Sequence, residues 1–139
     1  MAEITIKVTK DRTPEIEKQL DDALEQFVKD GAVYIEGELK RRIAVPKTGR
    51  AYKRGKTRVH IASAPGESPA SDSGNLIGSI GPPIYPSTLE AVIGTAVEYA
   101  GYLESGTRRM AARPLWQRTV DDAIPTLEKM LERAVATIR

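Results

Sequence analysis

Apolar residues recur every three or four positions through the first third of the chain: Ile16, Leu20, Leu24, Phe27, Val28, Ile35, Leu39 and Ile43. That spacing lays one stripe along one face of a helix and predicts a helix from Pro14 to about Ile43. Thr13 is a capping residue type, Pro14 suits the first helical position, and Glu15 and Glu17 fall in the first turn, where the helix dipole favours negative charge. At 1.5 Å per residue the helix would be about 45 Å long. A compact domain of this length has a diameter near ~37 Å. The helix therefore either breaks, with Gly31 or Gly37 as the candidates, or overhangs its own domain. An overhanging amphipathic helix finds its cover on a neighbour, which points to an oligomer. Ahead of the helix, residues 3–9 alternate apolar and polar, with Ile4, Ile6 and Val8 on one face of an expected strand.

A second helical stripe closes the chain. Leu115, Thr119, Ala123, Leu127, Met130, Leu131, Ala134 and Ile138 mark one face, widened by Trp116, Val120, Ile124 and Val135. They predict a helix from Pro114 to about Ile138. Pro125 inside it costs about 3 kcal/mol in a helix interior and predicts a kink or a restart near Asp121 or Asp122. Between the helices the elements are short. Thr57–Ile61 reads as a strand, Asn75–Gly81 as a helical turn or strand, Leu89–Gly94 as a strand, and Val97–Leu103 as a helical turn or a further strand. Residues 76–80 and 89–94 would pair antiparallel across Gly81-Pro82-Pro83. The expected fold class is α+β: a long N-terminal helix and a C-terminal helix packed on a small, mainly antiparallel sheet, in one domain spanning 1–139 with a long flexible loop at about 44–75.

Charge changes this picture in one place. Lys40, Arg41, Arg42, Lys47, Arg50, Lys53, Arg54, Lys56 and Arg58 follow one another with no Asp or Glu among them, and Tyr52 lies inside the run. Two readings stand. The run contacts a polyanion, either DNA phosphates or an acidic protein surface, or it is a solvated mobile loop. With the Ala-, Ser-, Pro- and Gly-rich residues 62–75 it makes a non-helical stretch of about 30 residues, a length typical of functional or disordered loops. A domain linker is rejected, because neither flank carries enough apolar sequence to fold alone. The overall net charge of +2 identifies no partner.

Candidate chemistry is sparse. The 139 residues contain no Cys and one His, which excludes disulfides, thiolate nucleophiles and Cys- or His-rich metal sites. No nucleophile elbow, zinc-protease helix or phosphate-binding glycine loop is present. His60 with Glu104 could form an acid/base pair, with Ser63, Glu67, Asp72 and Glu98 nearby in sequence, but a site needs convergent groups. No enzyme activity, cofactor or metal is expected. No run approaches the ~20 apolar residues of a membrane span. The first residues lack the basic and apolar regions of a secretory signal, so synthesis in the cytoplasm is expected.

One stretch joins the middle of the chain to the last helix: Tyr99-Ala-Gly-Tyr-Leu-Glu-Ser-Gly-Thr-Arg-Arg-Met-Ala-Ala-Arg-Pro-Leu-Trp116. Its Tyr-Ala, Glu-Ser-Gly-Thr and Met-Ala-Ala-Arg-Pro elements resemble the signature of the small head–tail joining, or tail-completion, proteins of lambda-like siphophages, the gene-ten-product-like family. Ser63-Ala-Pro-Gly-Glu-Ser-Pro-Ala-Ser-Asp-Ser-Gly-Asn-Leu76, followed by Ser79-Ile80, is similar to that family's upstream segment. Here Ser73 stands where Thr is usual, and Leu115-Trp116 where Phe often follows Arg-Pro. The resemblance covers roughly residues 14–138. It implies a structural virion protein of a tailed phage or prophage, made in the host bacterial cytoplasm and located at the neck of the virion. There it would join tail to head within an oligomeric ring, commonly sixfold. The implied partners are copies of itself, the tail tube or terminator and the head connector, with DNA contact in the channel conceivable and no membrane. Its assembly-interface residues would be Arg50, Tyr52, Lys53, Arg54, Lys56, Arg58, Glu104, Gly106, Thr107, Arg113, Pro114 and Trp116. Glu104 would pair with Arg113, Arg108 or Arg109. The alternative is a small nucleic-acid-binding protein using the basic 40–60 stretch.

Overall fold

A computed structural model describes Thr5, Lys7 and residues 10–139; the strand expected at residues 3–9 lies outside the described residues. The class is α+β, as the pattern predicts. Helix α1 (Thr13–Ala44) is unbroken through both Gly31 and Gly37. The helix does not break, and α4 accompanies it to its amino end. Gly31 has a packing role instead: a Cβ there would come within 3.2 Å of the Leu127 side chain. The start of α1 differs in detail from expectation. Thr13 is already helical, and its N–H donates to the Asp11 carboxylate at 2.9 Å.

Helix α4 (Trp116–Ala136) begins two residues later than the Pro114 start expected and runs without interruption through Pro125. Pro125 has no N–H to give to the Asp121 carbonyl one turn back. Both residues are exposed, so water can take that place. The principal packing of α4 is on α1, not on a sheet. At the far end, Arg12 donates to the Arg139 carbonyl and Arg139 N–H to the Gln19 side chain, which sets the two helices antiparallel.

Among the described residues the strands form two separate antiparallel ribbons, where the sequence suggests one sheet. The first pairs β1 (Ala51–Arg54) with β2 (Arg58–Ile61), placing Tyr52 opposite His60 and Lys53 opposite Val59. Only β2 is legible as a strand in the sequence; β1 sits inside the basic run. The second pairs β3 (Ile84–Ser87) with β4 (Glu90–Val92). Residues 76–80 are therefore not the partner of the 89–94 strand. They form a short helix, α2 (Asn75–Ser79), and β4 pairs instead with the residues just beyond Pro82-Pro83. Helix α3 (Tyr99–Ser105) completes the set.

The core sits at the C-terminal end of α1. Leu39 and Ile43 pack with Leu76, Ile80, Ala100 and Leu115, and Ile35, Ile77, Ile93, Leu103 and Trp116 close around them. The amino-terminal half of the same helical stripe is much less covered, with Ile16 42% and Leu20 37% exposed. The accessible surface is 10211 Å², against about 7,100 Å² for a compact monomer of this mass.

Candidate functional site

The two segments that carry the resemblance, 63–76 and 99–116, meet in space at the core end of the molecule. Arg113 makes the junction. Its Nε donates to the Ser63 carbonyl and hydroxyl at 3.2 and 3.1 Å, and another guanidinium nitrogen donates to the Ala111 carbonyl at 2.9 Å. Its own N–H donates to the Leu103 carbonyl, and the Gly66 N–H to the Ala112 carbonyl. Arg118 closes the contact by donating to the Gly66 carbonyl.

Glu104 does not form the ion pair with Arg113, Arg108 or Arg109 that the sequence suggests. Its carboxylate accepts the N–H groups of Leu115, Trp116 and Gln117 at 2.7, 3.0 and 2.9 Å. These are N–H groups at the start of α4 that have no partner inside the helix. A carboxylate there also meets the positive end of the helix dipole. Glu104 is thus a capping residue brought from α3, eleven residues upstream. Gly106 permits the return: its φ is 76°, and a Cβ would stand 2.9 Å from both the Ala112 nitrogen and the Met110 oxygen. Thr107 pairs with Met110 in an isolated bridge, Pro114 is half-buried, and Trp116 packs on the core.

The 44–75 stretch, expected to be a flexible loop, is built from the β1–β2 ribbon and two carboxylate anchors. Asp72 accepts from Arg54 at 2.8 Å and from Arg58 at 2.9 Å, with His60 Nδ1 at 3.7 Å. Glu67 accepts from the Thr48 hydroxyl at 2.6 Å and from the Ala64 N–H at 2.7 Å. The Thr48 hydroxyl first, then these backbone N–H groups, hold the Glu67 carboxyl below its ordinary value. Lys47 turns inward onto the Arg42 carbonyl and the Ser68 hydroxyl, and burial lowers its pKa. Both anchors were visible as a signal: they are the first carboxylates after the acid-free run that begins at Lys40.

These contacts change the meaning of the basic run. Lys40, Arg41 and Arg42 are paired with Glu36, Glu38 and Asp122. Arg54 and Arg58 share Asp72, and Lys47 points inward. Among the described residues, Arg50, Lys53 and Lys56 are the members of the run left without a carboxylate or inward partner. Arg50 and Arg54 lie over the Tyr52 ring at 5.5 and 5.8 Å, within cation–π range.

Of the predicted interface residues, Tyr52 and Arg113 line a recess of about 420 Å³, and the other ten do not. Tyr52, His60 and Asp72 line one side, and Tyr99, Met110 and Arg113 the other. In it Arg113 is bonded to Ser63, and Asp72 to Arg54 and Arg58. The Ser63 hydroxyl accepts from Arg113, and no hydrogen bond joins it to His60 among the described residues. No group of three His, Asp or Glu side chains suited to a metal ion occurs among the described residues. None of their helices is long and apolar enough to cross a membrane. Comparison with models of known families, with curated proteins and with solved structures gives no match.

Proposed function

We propose that this chain is a structural virion protein of a tailed phage or prophage, joining tail to head at the neck as one subunit of an oligomeric ring. The observation that carries the reading is the junction of the two resembling segments. Three of their charged residues hold backbone in place: Glu104 the start of α4, Arg113 the carbonyls of Ser63 and Ala111, and Glu67 the N–H groups of Thr48 and Ala64. A signature that serves to hold chain segments together suits a protein whose work is to present surfaces. The exposed apolar stripe on the amino-terminal half of α1 agrees with a subunit that finds its cover in an assembly.

Nucleic-acid binding gains less support. Three cations without a protein partner would contact about three phosphates, giving a salt slope near −2.7 where nine would give about −8.

The deciding experiment is peptide mass spectrometry of purified particles after prophage induction, with separated heads and tails alongside. The expected result is a few copies per complete particle or tail. Absence from particles, with abundant protein in the soluble lysate, would overturn the reading.

A further inference from the structure

The β1–β2 ribbon has two unlike faces. Tyr52, Arg54, Arg58 and His60 share one, which is drawn back onto the chain by Asp72. Ala51, Lys53, Val59 and Ile61 share the other. That second face has no anchor: Val59 is 58% and Ile61 48% exposed, with Val45 beside them at 44%. It combines apolar surface with the unpartnered cations Lys53 and Lys56.

The complementary surface lies at the opposite end of the same molecule. Ile16 and Leu20 are exposed on the amino-terminal half of α1. Glu17 and Asp21, one turn apart, border that stripe, and Asp22 follows. None of the three acids has an ion-pair partner among the described residues. Lys18 is the base among them; Arg12 is paired with Glu15, and Arg139 lies beside Gln19 at the end of α4, so along this turn three acids stand against two bases. From Asp22 to the end of α1 is about 33 Å at 1.5 Å per residue, and the ribbon is rooted beyond that end. The two surfaces match in apolar content and oppose in charge, yet one chain cannot bring them together.

We propose that the Lys53–Val59–Ile61 face of the ribbon docks on the Ile16–Leu20–Glu17–Asp21 surface of α1 in a second copy of this chain, head to tail. Such an interface is heterologous: it repeats from copy to copy and closes into a ring where the rotation permits. The proposal rests on the oligomeric part of the neck reading and names the contact that would build it. Because part of the attraction joins exposed charges, added salt weakens it.

The test uses the full-length protein, half of it labelled with ¹⁵N. Zero-length carbodiimide coupling joins a lysine amine to a carboxylate in direct contact. The expected product is a mixed-isotope link from Lys53 or Lys56 to Glu17, Asp21 or Asp22. In native mass spectrometry, Lys53→Glu and Asp21→Lys each weaken assembly about tenfold or more, as loss of ~1.4 kcal/mol per contact would. The combined variant assembles again, since the reversed charges attract. Both positions are exposed, and circular dichroism verifies that each variant is folded. If the protein assembles but neither reversal matters and the links fall elsewhere, this interface is wrong and the ring stands. A single copy under all conditions, with no mixed links, removes both the interface and the ring. Loss of DNA binding with assembly intact in Lys53→Glu would give the ribbon to nucleic acid instead. The search of virion particles remains an independent check on the phage reading.

Discussion

The two ends of α1 carry the same apolar periodicity and meet different fates. At the carboxyl end Leu39 and Ile43 are each 1% exposed, enclosed by α2, α3 and the start of α4. At the amino end Ile16 and Leu20 remain open, with α4 as their one antiparallel partner helix among the described residues. Two helices have one seam between them; three or more elements are needed to surround a side chain on all sides. The stripe therefore states which face is apolar and leaves open whether this chain or another copy covers it. Substitutions along one helix can test that distinction directly.

The largest contrast is expected between Leu39→Ala and Leu20→Ala. The first opens a cavity in the core and costs about 2–5 kcal/mol, enough to remove much of a small domain's stability. The second removes a partly exposed side chain and costs under about 1 kcal/mol in the separated subunit. Urea unfolding at low protein concentration measures both. If Leu20→Ala proved as costly as Leu39→Ala there, the amino end would be core in its own right and the comparison would collapse. If it destabilised only the assembled form, the open stripe would be an interface.

Next in size is Glu104→Ala, which acts at the closed end alone. It strips the carboxylate from three N–H groups at the start of α4, and a cap of this kind contributes about 1–2 kcal/mol. Glu104→Gln keeps an acceptor and loses less. Faster amide exchange should appear at Leu115–Gln117 in both variants, while the amides near Gln19 at the open end stay as they were. Equal loosening at both ends would mean that α4 responds as one rigid unit.

How far all this was legible in advance follows from the range of each interaction. Both long helices could be read, because their periodicity is local and repeats over many turns. The β2 strand could be read from its own residues, but β1 could not: Ala51-Tyr-Lys-Arg54 looks like charge until its antiparallel partner is known. The pairing of β4 was misassigned because 76–80 and 84–87 are both short and apolar, and periodicity cannot separate a helical turn from a strand at that length. Glu104 was recognised as important and given the wrong partner. Opposite charges nearby in sequence suggest an ion pair, whereas backbone N–H groups at a helix start leave no mark on the residue string. Asp72 and Glu67 show the same gap, since their partners lie 14 to 19 residues away for the ion pairs and the Thr48 bond.

A smaller effect is expected at the ribbon. Asp72→Asn removes the charge that holds Arg54 and Arg58, an exposed arrangement contributing about 0–1 kcal/mol to stability. Global unfolding should hardly move, and exchange of the β1–β2 amides should quicken. A large drop in overall stability would show the ribbon to be part of the closed end, not an appendage rooted on it.

The smallest effects concern acid, and again each end of α1 has its own carboxylate. Glu67, near the closed end, is held below its ordinary value of 4.5 by the Thr48 hydroxyl and by the N–H groups of Ala64 and Thr48. Asp11, at the open end, is held below 3.8 by hydrogen bonds from Thr13. A carboxyl with a depressed folded pKa contributes stability that is present above its unfolded value and is lost as pH falls through the folded one. Both contributions therefore fade below about pH 4.5, yet they should register differently. Glu67 ties together segments that enclose the core, so Glu67→Gln should flatten the acid limb of global stability. Asp11→Asn releases the first turn of a helix already open to solvent, so its effect should be confined to amide exchange near Thr13. Melting curves taken from pH 7 down to pH 3 separate the two. If Asp11→Asn flattened the global acid limb as much as Glu67→Gln, the amino-terminal turn would be coupled to the core, and α1 would have to be treated as one cooperative element with no open end.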